Sequence, residues 1–166
     1  MTEPIEAAAR VITVSDRCAR GEREDASGPL AARLLGELGL RVQPVVVVPD
    51  GVDSVREAIR AALASSARLV FTTGGTGIGP RDLTPEATET LLVAQLPGLA
   101  EQIRQQGLAA TPAAVLSRGL VGITARGPGA ALVVNAPGSP GGVRDAVAVL
   151  GPVLTHILGQ LDGGDH

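Results

Sequence analysis

The chain has 166 residues, 45% apolar and 19% charged, with a formal net charge of −3, a balance that fits one domain with a sizeable core and excludes a disordered chain. All 14 basic residues are Arg, so a Schiff-base lysine and a phosphate-loop lysine are both excluded. There is no Trp or Tyr and a single Phe, Phe71, which excludes an aromatic stacking platform and, with the acidic balance, argues against a nucleic-acid partner.

The single cysteine, Cys18, cannot form an internal disulfide, and with only His156 and His166 beside it a closed structural zinc site lacks ligands. Met1 to Pro4 carries no basic or apolar leader pattern, and no apolar run reads as long as a membrane span. A cytoplasmic protein with no membrane association is expected. The whole chain, 1–166, reads as one domain with its core at about 10–161 and flexible tails at both ends.

Ala7 to Ser15 is a short, β-branched first strand, and the polar stretch from Asp16 to Ala26 reads as a loop. Ser27 is placed to cap a helix to about Glu37, with Pro29 in its first turn, Gly39 as its stop and Leu30, Leu34, Leu35 and Leu38 on one face. Val42 to Val48 is a second strand, and Asp53 or Ser54 opens a helix carrying Val55, Ile59, Ala62 and Leu63. Arg68 to Thr73 has a continuous apolar centre, which predicts a central strand covered on both faces. After a Gly-rich stretch, Thr84 caps a helix with Pro85 at its first position; this helix is expected to continue, kinked at Pro97, to Gln106. Ser117-Arg118 ends a helix. Gly119 to Ala125 and Ala130 to Asn135 form a hairpin through Arg126-Gly127-Pro128-Gly129. A last helix runs from about Gly142 to Leu161, and a frayed tail follows from Asp162.

This order of elements predicts a three-layer α/β/α fold with a mostly parallel sheet and one antiparallel hairpin. Ligands of such sheets bind beyond the carboxyl ends of the strands. Ser15-Asp16-Arg17, Pro49-Asp50, Thr73 to Thr84 and Asn135 to Gly141 all fall at that edge. Thr73, Gly74, Gly75, Thr76 and Gly77 offer small residues and hydroxyls to an anion ahead of a helix start. The stretch is neither a Walker loop, since no Lys-Ser/Thr follows, nor a dinucleotide fingerprint, since Pro80 stands in the way of the third Gly. A plain connecting turn has the same composition. Asp50 and Asp82, at one edge, can hold a hydrated Mg²⁺ beside a phosphate; an Asx-turn and a helix cap are their alternatives. Asp16 can meet a polar ring edge and Arg17 a phosphate; a solvated turn is the alternative, and the safer reading for Arg17. Gly138-Ser139 lacks the earlier Gly of a nucleophile elbow, which argues against a Ser-His-Asp hydrolase. His156 reads as a structural or interface residue, and Cys18 as non-catalytic.

The stretch Thr72 to Thr88, TTGGTGIGPRDLTPEAT, resembles the molybdopterin-binding family of molybdenum cofactor biosynthesis. Within it the likeness is greatest to the adenylyltransferases of the bacterial Mog type and to the G domains of the plant molybdenum-insertion protein and gephyrin. It extends to Val14-Ser15-Asp16, Asp25 to Pro29, Val48-Pro49-Asp50, Pro97-Gly98-Leu99, Leu116-Ser117-Arg118 and Asn135-Ala136-Pro137-Gly138.

The resemblance implies transfer of an adenylyl group from Mg·ATP to the terminal phosphate of molybdopterin, releasing pyrophosphate. Asp50 and Asp82 match the family's two functional aspartates, as metal ligands and catalytic groups. Gly74, Gly75, Thr76 and Gly77 would cradle phosphate, with Ser15, Asp16, Thr73, Ser117, Asn135, Pro137, Gly138 and Ser139 lining the nucleotide and pterin sites. A homotrimer and a separate molybdenum-insertion protein as partner are further implications. MoaB-type relatives bind the pterin without transfer and share the modest size; the intact Pro80 to Glu86 loop favours the active type.

Overall fold

Alternation in the central strands decides the layering. The computed structural model describes residues 5–164; the expectations for Met1 to Pro4, Asp165 and His166 lie outside them. The strands are β1 (Ala8–Val14), β2 (Arg41–Val42), β3 (Val46–Val48), β4 (Leu69–Thr73), β5 (Ala94–Gln95), β6 (Val121–Ile123) and β7 (Leu132–Ala136). The helices are α1 (Asp16–Ala19), α2 (Ser27–Glu37), α3 (Val52–Ala64), α4 (Thr84–Glu89), α5 (Pro97–Leu108) and α6 (Pro140–Leu161), with a 3₁₀ turn at Pro112–Leu116.

The sheet runs β2-β1-β4-β7-β6-β5, with β3 also paired to β1. β1 to β4 and β7 pair in parallel, whereas β6 pairs antiparallel with both β7 and β5. Side chains alternate across the sheet. Val11, Leu69, Phe71, Leu132 and Val134 join a core cluster with residues of α2, α5 and α6. Ile12, Val14, Val70 and Val133 join another with residues of α3 and α4. This is the expected three-layer α/β/α arrangement, and β4 is buried along its whole length at its centre.

Several local expectations are corrected. The second strand is two, β2 and β3, because Pro44 has no N–H to give the ladder; its carbonyl takes the guanidinium of Arg10 instead, at 2.7 Å. The segment after β1 is not all loop: Ser15 caps the one-turn α1, accepting from the Cys18 N–H at 3.2 Å. Ser27 is the first residue of α2 rather than its cap; Asp25 accepts from the Gly28 N–H at 2.9 Å and from the Thr13 hydroxyl at 2.7 Å. Of Leu30, Leu34, Leu35 and the C-cap Leu38, only Leu35 is fully buried, alongside Ala31. α4 and α5 are separate helices. Pro97 keeps Leu96 out of the helical region and opens a new helix at α5, while Ala94-Gln95 is drawn into the sheet by β6. Thr84 is likewise a first helical residue, not a cap.

Ser117 follows a 3₁₀ turn rather than an α-helix. α6 starts at Pro140, capped by Ser139, which accepts from the Gly142 N–H at 3.0 Å. It is the one helix among the described residues long and apolar enough to cross a bilayer, a stretch hidden in the sequence by its Gly, Pro, Thr and His interruptions. Its buried stripe of Val143, Ala146, Val147, Leu150, Leu154, Leu158 and Leu161 lies in the core cluster with α2 and α5, as a covering helix does. Asp162 is not frayed: its carboxylate pairs with Arg68 at 2.9 Å.

Candidate active site

Because β3, β1, β4 and β7 are parallel and in step, with Val14 opposite Val48, Thr13 opposite Thr73 and Thr73 opposite Ala136, their carboxyl ends fall side by side. Ser15-Asp16, Pro49-Asp50, Gly74 to Asp82 and Pro137 to Ser139 emerge there together, as the strand-end rule predicts. Ser117 comes to the same edge through the residues that precede the antiparallel β6.

The Gly loop is bent back on the sheet. Gly74 has φ +106° and Gly75 φ +68°, a region open to glycine and costly for other residues. A Cβ on Gly74 would sit 2.2 Å from the Val14 carbonyl oxygen, and one on Gly75 2.2 Å from Oγ1 of Thr84. The wholly buried Thr84 hydroxyl donates to the Gly74 carbonyl at 2.9 Å. The Gly74 N–H reaches the Ala136 carbonyl at 3.1 Å. By contrast, the N–H groups of Gly75, Thr76 and Gly77 meet no acceptor among the described residues, which is how a backbone anion cradle is built. Asp82 closes the loop, its Oδ2 accepting from the Gly79 N–H at 2.9 Å.

Asp16 and Asp50 face each other in a reciprocal pair. The Asp16 N–H donates to Asp50 Oδ2 at 2.9 Å and the Asp50 N–H to Asp16 Oδ1 at 3.1 Å. Arg81 forks onto both Asp16 oxygens, at 3.0 and 2.9 Å, and its Nη2 also reaches the Asp50 carbonyl at 2.9 Å. The hydrogen bond from Arg81 holds the Asp16 carboxyl below the usual range. Asp50 moves the other way: burial pushes its pKa up, helped by the nearby charges of Asp16 and Asp82. A carboxyl disfavoured as an anion beside two other carboxylates is a functional-site signature.

The Asp50 shift has a stability consequence. A folded pKa above the unfolded value favours the fold while the group is protonated, and that contribution is lost as pH rises through the folded pKa. At neutral pH the ionised Asp50 therefore weakens the fold. Asp50→Asn keeps an oxygen for the Asp16 N–H and is expected to raise Tm at pH 7, with the gain shrinking to nothing below the ordinary value of 3.8. Thermal melts of both proteins across this range check it; an equal Tm at pH 7 contradicts the electrostatic account.

The remaining candidates divide by burial. Thr73 is buried and its hydroxyl donates to the Pro137 carbonyl at 2.8 Å, while Ser27 donates to the Gly138 carbonyl at 3.0 Å, so both shape the loop after β7. Asn135 is a buried hub: its Nδ2 donates to the hydroxyls of Thr72 and Thr88 at 3.0 and 3.1 Å, and its Oδ1 accepts from the Leu120 N–H at 3.1 Å. Thr76, Gly77, Ser117, Pro137 and Ser139 line a cleft of about 280 Å³ that extends over Arg104 and Thr111 between α5 and the start of α6. Cys18 is half-buried on α1 and His156 exposed on α6, neither in this cleft.

Arg118 carries a role the sequence did not disclose. Its Nε donates to the Gly77 carbonyl at 2.8 Å and its Nη2 to the Asp82 carbonyl at 2.7 Å, while Nη1 pairs with Glu86. The same guanidinium holds the Glu86 carboxyl below its usual range. Arg118 thus pins both ends of the loop that Arg81 holds from the other side. The only signal in sequence is an Arg beside a candidate site residue in a chain poor in cations.

Among the described residues no group of three or more His, Cys, Asp or Glu is placed to hold a metal. Asp50 and Asp82 each keep one oxygen, Oδ1, that no donor among the described residues engages. Such a donor set suits Mg²⁺, which keeps waters and takes one or two carboxylates with the phosphates of a substrate.

The chain matches, over residues 10–156, the family described as "probable molybdopterin binding domain". The chain belongs to this molybdopterin-binding family. A molybdopterin adenylyltransferase of Pyrococcus furiosus is 39% identical over 89% of the chain and 87% of its own length. A molybdenum cofactor biosynthesis bifunctional protein of Synechococcus elongatus is 41% identical over 95% of the chain but 48% of its own length. The chain spans about half or less of the first curated relatives it matches. Among solved structures, a molybdopterin biosynthesis protein of Mycobacterium abscessus superimposes with a TM-score of 0.87 at 45% identity, covering 95% of this chain and 97% of that one. The chain thus shares its fold with members of this family, and its own Gly loop, Asp16 and Asp50 lie together at the carboxyl edge of the sheet.

Proposed function

We propose that the chain catalyses adenylyl transfer from ATP to molybdopterin in the cytoplasm, working as a homotrimer and passing its product to a separate molybdenum-insertion protein. An oxygen of the pterin's terminal phosphate attacks the α-phosphorus of ATP, the bond from that phosphorus to the β-phosphate bridging oxygen breaks, and pyrophosphate leaves. One observation carries the reading: three backbone N–H groups, at Gly75, Thr76 and Gly77, and one oxygen each of Asp50 and Asp82 beside them meet no partner among the described residues.

Asp50 and Asp82 would hold a Mg²⁺, which supplies charge neutralisation for the phosphates when bound. The loop N–H groups fix the phosphate chain, and no covalent nucleophile is needed, since positioning and charge carry such transfers. The cleft lined by Thr76, Gly77, Ser117, Pro137 and Ser139 gives the substrates a wall next to the loop. The deciding test incubates purified protein with molybdopterin and Mg·ATP and follows adenylylated pterin by chromatography. Product formation is expected; saturable pterin binding with no product would move the chain to the carrier role of the MoaB type.

A further inference from the structure

Asp82 and Asp50 lie on different loops, 32 residues apart in sequence, and must keep a fixed spacing to work as a pair. Arg81, the neighbour of Asp82, makes three bonds to the other two loops: two to the Asp16 carboxylate at 3.0 and 2.9 Å and one to the Asp50 carbonyl at 2.9 Å. Asp16 in turn exchanges two backbone-to-carboxylate bonds with Asp50, at 2.9 and 3.1 Å. Asp82, Arg81, Asp16 and Asp50 thus form a continuous chain of bonds across the ends of β1, β3 and β4.

We propose that Arg81 is a positioning residue, a strap that sets the separation of Asp50 and Asp82 and offsets the charge of Asp16, and not a phosphate ligand. This rests on the adenylyl-transfer reading for its consequence in turnover, but the strap itself consists of bonds within the chain. All three of its bonds go to protein oxygens, and a phosphate would have to displace them. Its side chain is 61% exposed, so its removal leaves no void in the core, and Tm is expected to stay within about 3 °C. The lowered pKa of Asp16, caused first by Arg81, agrees with the strap.

The test compares wild type, Arg81→Ala and Arg81→Lys in two measurements. The first is amide hydrogen exchange at Asp16 and Asp50, which reads the strap without any reaction. Exchange at both amides is expected to quicken at least about tenfold in Arg81→Ala. The second is steady-state adenylyl transfer. Turnover is expected to fall about tenfold to a hundredfold with ATP KM within about threefold, and Arg81→Lys, which restores the charge without the fork, is expected to recover part of it. Unchanged amides overturn the strap. A rise in ATP KM larger than the fall in kcat overturns it too, in favour of direct phosphate contact, as does turnover equal to wild type. An inert wild type would sink the adenylyl-transfer reading alone, and the exchange result would still decide the strap.

Discussion

Asp82→Asn is expected to lower adenylyl transfer by about 10²–10³-fold, the cost of removing one positioned electrostatic group, while molybdopterin binding changes by less than about threefold. The side chain keeps its size, and the Asn oxygen still accepts from the Gly79 N–H that Asp82 holds at 2.9 Å. Loop shape is therefore preserved and charge alone is lost. Asp82 lies beside the Gly77 and Gly79 Cα atoms, where a Cβ would come within 2.8 and 2.9 Å of its Oδ2. The charge thus stands at the lip of the proposed phosphate cradle. Steady-state kinetics with a parallel pterin-binding titration measure the split. Equal losses in binding and turnover would mean that Asp82 only shapes the loop.

Gly74→Ala is expected to destabilise the fold by about 3 kcal/mol, seen as a Tm lower by roughly 6–12 °C. Two costs add at this position. Its φ of +106° is one that side chains rarely adopt, and the new methyl would meet the Val14 carbonyl oxygen at 2.2 Å. That oxygen belongs to the end of β1, which pairs with β3 and β4 and has no room to move. Gly21→Ala is the control: its φ is +74° but nothing lies within 4 Å of its Cβ, so only the backbone cost of about 1 kcal/mol remains. Paired melts of the two variants separate strain from collision. A Gly74 variant as mild as the Gly21 variant would show that β1 yields.

What the sequence disclosed and what it hid divide along physical lines. The ends of β1, β3, β4 and β7 were legible because β-branched runs followed by Gly, Pro and Asp announce them, and parallel pairing then brings those ends to one edge. The separation of α4 from α5 was not. Leu91 to Gln95 has helical composition, and only the pairing of Ala94 with Ile123, 29 residues on, and of Gln95 with Gly122, 27 residues on, draws its end into the sheet. The Gly loop at the sheet edge was legible, since Gly74 to Gly77 carry it locally. Its two arginine anchors were not: Arg81 meets Asp16 across 65 residues and Arg118 meets Gly77 across 41. Asn135 shows the opposite limit. Its motif suggests a pocket wall, yet its amide lies buried among Thr72, Thr88 and Leu120, and no spacing rule tells a lining asparagine from a buried one.

The most direct test of the account is the fate of label from [α-³²P]ATP and [γ-³²P]ATP in the presence of molybdopterin and Mg²⁺. The account predicts that the α-label moves to the pterin and the γ-label leaves in pyrophosphate, with both transfers suppressed in Asp50→Ala and Asp82→Ala. Release of the γ-label as inorganic phosphate, with none of the α-label on the pterin, would contradict it and mark the site as that of a nucleotide hydrolase.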